Sequence, residues 1–161
     1  MKTLFRVRVA PLAAFLGIIS VLALVWPAQA GGDLKVIESK YSVKETLDRL
    51  TKILESKGIK VMARVNHAAG AKGAGLDLPD TELLIFGNPK LGTPLMQTNR
   101  SIGLDLPMKA LAWMDKAGKV HLAYTAPDAL KARHAISGRD AIFQKMTKAL
   151  AGLTAAAAGA K

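Results

Sequence analysis

The spacing of apolar positions changes several times along this chain, and each change marks an expected element. Val9 to Trp26 runs 18 residues without a charge, behind Lys2, Arg6 and Arg8 and ahead of Pro27-Ala28-Gln29-Ala30. Small residues at 28 and 30 suit the narrow pocket of a signal peptidase, so residues 1–30 read as an export signal cleaved after Ala30. The competing reading is an uncleaved anchor, since 18 apolar residues just suffice to cross a bilayer. Pro11 and Pro27 favour processing.

The mature chain, residues 31–161, opens with a short mixed stretch, Leu34 to Tyr41, of the length of a strand. Ser42 stands three residues before Glu45, a capping-box pattern. Val43, Leu47, Leu50, Ile53 and Leu54 follow at helical spacing until Gly58, with Glu45/Arg49 and Asp48/Lys52 as i,i+4 pairs on the wet side. Ile59, Val61, Ala63 and Val65 then alternate with Lys60, Met62 and Arg64, predicting a half-buried strand. Ala68 to Gly75 is rich in small residues and reads as a short helix or turn running into a loop. Leu83 to Phe86 is continuously apolar, as in a central strand buried on both faces. Thr93-Pro94 reads as the N-cap and first residue of a short helix to Thr98.

Lys109 to Asp115 and Val120 to Thr125 flank Lys116-Ala117-Gly118-Lys119, a hairpin signal. Thr125 ahead of Pro127 and Asp128 opens a helix toward His134. Ser137 caps a last helix over about residues 138–156, with Ile142, Phe143, Met146, Leu150 and Leu153 on one side. The Ala-rich tail is expected to fray. This order of elements predicts an α+β fold: a single domain with a mainly antiparallel sheet and helices packed on one face.

Composition narrows the function classes. The chain has 161 residues, 23 Lys plus Arg and 12 Asp plus Glu, a formal charge of +11. Removing residues 1–30 takes away Lys2, Arg6 and Arg8, leaving 131 residues and a charge of +8. That length holds one compact domain and excludes a multidomain enzyme. The absence of cysteine excludes disulfides, thiolate metal sites and cysteine nucleophiles. Basic residues are dispersed, and the mature aromatics Tyr41, Phe86, Trp113, Tyr124 and Phe143 fall mostly at core-like positions. No stacking platform for nucleic acid results. The charge suits anionic lipid headgroups or envelope polymers better. A periplasmic or secreted location follows from a cleaved leader, and an inner-membrane anchor from a retained one. Nucleotide cofactors are not normally supplied there. Gly70 to Gly75 also lacks the spacing of a phosphate loop or a dinucleotide fingerprint, so no cofactor is expected. Its small residues are read instead as letting a helix pack tightly on the sheet.

Several runs together resemble one family. They are Val65-Asn66-His67-Ala68-Ala69-Gly70-Ala71, Gly75-Leu76-Asp77-Leu78-Pro79, and Leu83-Leu84-Ile85-Phe86-Gly87-Asn88-Pro89-Lys90-Leu91-Gly92-Thr93-Pro94-Leu95-Met96. Asp105-Leu106-Pro107, Trp113 with Asp115 and Gly118, and Tyr124 with Pro127 follow in order. Over about residues 34–135 the chain resembles the DUF302 family, whose function is undescribed. The resemblance implies a compact α+β domain that forms homodimers, and it brings no established catalytic residues. Family members often carry Asp where this chain has Asn66, which weakens an Asp-His acid/base pair.

Candidate chemistry concentrates in two places. His67 ends a strand and could act as a base or a ligand contact; the plainer reading is a histidine that caps a turn through a backbone bond. The turn after Phe86 brings Asn88, Lys90 and Thr93 together where a helix begins, and free N–H groups with a lysine attract anions. The same residues could simply shape a tight connection. His67, His121 and His134 have no local ligand spacing, so no metal is expected. His121 falls on the opposite strand face from Leu122 and Tyr124, toward solvent or a partner subunit. His134 falls at a helix C-terminus.

The leading expectation is therefore an exported, non-enzymatic binding domain. Its shallow site is formed by His67 and the Asn88–Thr93 turn and recognises a small anionic ligand. Two alternatives stand beside it: a small hydrolase or isomerase using His67 as a base, and a structural envelope-associated protein.

Overall fold

The computed structural model describes residues 33–160; the expected leader and its cleavage point at Ala30 lie outside the described residues. Five strands, β1 (Leu34–Ser39), β2 (Lys60–Asn66), β3 (Thr81–Gly87), β4 (Met108–Met114) and β5 (Val120–Thr125), make one sheet in the order β1-β5-β4-β3-β2. Every neighbouring pair is antiparallel. The helices are α1 (Val43–Ser56), α2 (His67–Gly73), α3 (Pro89–Thr98), α4 (Pro127–Arg133) and α5 (Asp140–Ala158), with a 3-10 turn over Arg100–Leu104. The expected α+β class and antiparallel sheet are what the chain forms.

Amphipathic periodicity decides which sheet face is covered. Val43, Leu47, Leu50 and Leu54 of α1 and Phe143, Met146, Leu150 and Leu153 of α5 are buried in one cluster. The strands add Leu84, Phe86, Met108, Ala110, Ala112, Leu122 and Tyr124 to it. Ser42 caps α1, its hydroxyl accepting from the Glu45 N–H at 3.2 Å. The hairpin turn is held by Asp115, whose Oδ1 accepts from the N–H groups of Ala117 and Lys119, both at 2.9 Å.

The opposite face has no helix over it among the described residues. Leu83 and Ile85 are only half-buried while Leu84 and Phe86 are buried. The apolar run at 83–86 thus belongs to a strand sealed on one side, not on both. Leu34, Val36 and Val65 are exposed on or beside the open face. Trp113 lies there against His121, ring centroids 5.2 Å apart, and His121 Nε2 is 2.7 Å from Asp115 Oδ2.

Several local expectations are corrected. β2 is an edge strand with a bulge between Val61 and Ala63. The bulge breaks the alternation: Val61 pairs with the buried Phe86, but Ala63 and Val65 pair with Ile85 and Leu83 of the open face. The residue left on the helix side is Arg64, which bridges Asp48 of α1 and Glu82 of β3. α2 buries no residue, and a Cβ at Gly70 or Gly73 would meet nothing. Tight packing on the sheet therefore does not explain those glycines.

Helix boundaries move as well. β1 stops at Ser39, and neither Thr125 nor Ser137 is a cap; Ala126 and Arg139 hold those positions without a side-chain bond. The Ala-rich tail is ordered in α5. Arg49 donates to the carbonyls of Ala157 (3.1 Å) and Ala156 (3.3 Å), and the Lys40 N–H donates to Ala158 O at 3.0 Å. Gly159 ends the helix at φ 69°, where a Cβ would come within 2.8 Å of the Tyr41 ring. A terminal segment is ordered once its last carbonyls find donors.

Candidate functional site

Where β3 stops, the chain turns at Asn88 and enters α3. Asn88 is the N-cap, accepting the Lys90 N–H on Oδ1 at 2.9 Å, and Pro89 takes the first helical position. The helix therefore starts five residues earlier than Thr93-Pro94 suggests, because an Asn-Pro pair satisfies the same cap rule as Thr-Pro. Thr93 and Pro94 lie inside α3. The early donors are already used: Pro89 has no N–H, Lys90 N is capped, and Leu91 N and Gly92 N both reach Asn88 O. The anion-attracting N–H groups expected at this turn are consumed by the chain itself.

A cavity of about 330 Å³ opens beside the turn. Its floor is Phe86, Gly87 and Met108; α3 supplies Leu91 and Met96, α5 supplies Met146 and Leu150, and the β2 bulge turns Met62 into it. Gly87 fits because Pro107 packs over it, only 3.3 Å from where a Cβ would stand. Among the described residues, the hydrogen-bonding side chains in the lining are those of Asn88 and Thr93. Methionine supplies a flexible, polarisable wall that accommodates more than one ligand shape. A volume of this order lies at the small end of ligand pockets.

Sheet register separates the other expected site residue from this place. Asn66 pairs with Glu82 near the start of β3, whereas Asn88 follows its end. Six residues of extended chain put roughly 20 Å between them. His67 is exposed as the first residue of α2, which Asn66 caps by accepting the Ala69 N–H at 2.7 Å. Asn66 also donates to Glu82 at 3.0 Å. The structure brings Asn88 and Thr93 together at one cavity, leaves Lys90 exposed on the first turn of α3 outside its lining, and places His67 at the far end of the sheet.

A polar cluster unforeseen in the sequence lies where the 3-10 turn meets the end of α4. His134 is 7% exposed; its Nε2 is 2.6 Å from Asp105 Oδ2 and its Nδ1 is 2.8 Å from Ser101 Oγ. Arg133 donates to both Asp105 oxygens at 3.1 and 3.0 Å, and Asn99 donates to the His134 carbonyl at 2.9 Å. Burial pushes the Asp105 carboxyl up, but the hydrogen bonds from His134 and Arg133 outweigh it and hold the group below its ordinary value. Asp105 and His134 are separated by 29 positions, so no local motif could have joined them. The available signal was a histidine following arginine at a helix end.

Comparison with known proteins places this geometry. The family described as "Domain of unknown function DUF302" matches residues 35–153. The chain belongs to the DUF302 family. That span takes in nearly all of β1 and most of α5, so the cavity and the Asp105–His134 cluster are both parts of the DUF302 domain. A crystal structure of an uncharacterized conserved DUF302 protein from Bacillus stearothermophilus superposes with a TM-score of 0.71 at 20% identity, over 78% of this chain and 98% of that one. It shows the shared fold.

The chain is also 49% identical over 127 residues to a protein named fluoride-specific ion channel FluC 1 from Brucella suis, and equally to a FluC 1 from Brucella abortus. These matches cover 78% of this chain but only 50% and 47% of those proteins, so it spans about half the length of the curated relatives. Among the described residues no helix is long and apolar enough to cross a membrane.

Proposed function

We propose that this DUF302 domain is an exported binding module whose cavity takes a small amphipathic molecule, with an apolar body inside and a polar, preferentially anionic end at the rim. One observation carries the reading: about 330 Å³ of space walled by Phe, Leu and Met, with hydrogen-bonding side chains only from Asn88 and Thr93. Asn88 spends its oxygen on the helix cap, so its amide N–H₂ is the group to meet a ligand. Lys90, exposed one turn of chain away, biases the rim toward a negative charge. Recognition rests on shape and apolar burial rather than on a helix N-terminus. His67 is not part of this site.

A second copy of the chain is the partner we propose for the open sheet face, where Leu34 and Val36 stay about half exposed. The family resemblance supports a pair, and a two-fold interface needs only one self-complementary patch. Fluoride passage in the longer Brucella proteins is assigned here to the half this chain does not match.

The test is calorimetric titration with straight-chain alkyl carboxylates from six to fourteen carbons. Saturable one-to-one binding with an optimum chain length is expected. Ala149 lines the cavity mouth yet is exposed, so Ala149→Phe should block binding without disturbing the core. Equal binding by Ala149→Phe, or none by the wild type at any length, would overturn the proposal.

A further inference from the structure

The Asp105–His134–Ser101 cluster lies outside the lining of the cavity. One tautomer of the imidazole satisfies both of its contacts. An ionised carboxylate only accepts, so His134 Nε2 carries the proton donated to Asp105. In the neutral tautomer Nδ1 is an acceptor, and the Ser101 hydroxyl, 2.8 Å away, donates to it. That tautomer sets a serine hydroxyl on an imidazole whose other nitrogen is held by the half-buried Asp105 carboxylate, the arrangement that activates a nucleophile.

The supports for each member are separate. Arg133 grips both oxygens of Asp105 and so fixes the carboxylate. Asn99 holds the His134 carbonyl with its amide, while its own oxygen accepts the Ser101 N–H at 3.0 Å. One asparagine thereby sets base and nucleophile relative to each other. The imidazole is almost wholly buried whereas Ser101 is exposed.

We propose that Ser101 is an acyl-accepting nucleophile acting on carboxylic esters, with His134 as its general base and Asp105 as the positioning residue. Ser101 Oγ bonds to the ester carbonyl carbon as its proton passes to His134 Nδ1. The tetrahedral intermediate expels the alcohol oxygen, which takes that proton, leaving an acyl-serine. Water then gives a proton to Nδ1 as its oxygen bonds to the acyl carbon. Ser101 Oγ departs, recovers the proton and releases the carboxylic acid. The sum is ester plus water to acid plus alcohol, with no other reactant.

A fluorophosphonate probe tests this on the full chain, with peptide mass spectrometry to locate the adduct and circular dichroism to confirm the fold. The wild type should be phosphonylated at Ser101 with loss of fluoride, and Ser101→Ala, at an exposed position, should carry no adduct. His134→Gln should slow labelling about 10²–10⁴-fold, the range for loss of a general base, while Ser101 remains present. Folded wild-type protein without an adduct at Ser101 would overturn the proposal. So would a folded His134→Gln variant labelled at the wild-type rate, which would reduce the cluster to a clip between the 3-10 turn and α4.

Discussion

The two faces of β4 are built from alternate residues of one short segment, yet they meet different surroundings. Met108, Ala110 and Ala112 point into the helices and are buried, whereas Lys109, Leu111 and Trp113 point toward a shallow groove that the described residues leave uncovered. The covered face is closed by two amphipathic helices and holds the fold together. The open face keeps apolar side chains at the surface, and a large exposed apolar patch marks a surface for another molecule. The cavity lies on the covered side, between α3 and α5 at the end of β3.

Mutations should break this comparison in order of burial. Leu47→Ala, at a fully buried position of α1, should cost about 2–5 kcal/mol in chemical denaturation. Asp105→Ala should come next. It leaves the buried His134 N–H without an acceptor and should cost about 1–3 kcal/mol at neutral pH. Because the folded Asp105 carboxyl titrates below its ordinary value, its contribution is present above the unfolded value near 3.8 and is lost as pH falls through the lower folded value. The wild type should therefore lose stability relative to Asp105→Ala only on strong acidification, which urea titrations from pH 5 to pH 2 would show.

Val36→Asp on the open face should change monomer stability by only about 0.5 kcal/mol. By sedimentation it should abolish self-association, while Leu47→Ala should affect stability first. Smallest of all, His67→Ala should leave both stability and alkyl carboxylate binding unchanged. A lost binding signal in His67→Ala would contradict the separation of the two ends of β3.

Much of the fold was legible in the sequence because its signals are local. The Ser42 cap, the helical spacing of Val43 to Leu54 and the Asp115–Lys119 turn each act within a few residues. Burial was legible only where it follows from periodicity. The alternation from Ile59 to Val65 is real in sequence, but a one-residue bulge, set by pairing with β3, sends its halves to opposite faces. The run at Leu83–Phe86 likewise cannot reveal which face lacks a cover. At the site, the importance of the turn after Phe86 was legible, but its chemistry was not. Asn88 takes the cap that Thr93 was expected to fill, and the walls of the cavity come from Met62, Met96, Met108 and Met146, residues far apart in the chain. The His134 cluster was hidden for the same reason: its partners meet only through tertiary packing.

Those four methionines offer the most direct test of the central claim. Met114 is at the other end of β4 from Met108, roughly 20 Å away along the strand, and it lines the open-face groove instead. With the methionine methyl groups carbon-13 labelled, titration of the protein with decanoate should shift the resonances of Met62, Met96, Met108 and Met146 together, with a common saturation curve, and leave Met114 in place. Movement of Met114 alone, or no movement of the four under saturating ligand, would contradict binding in the cavity.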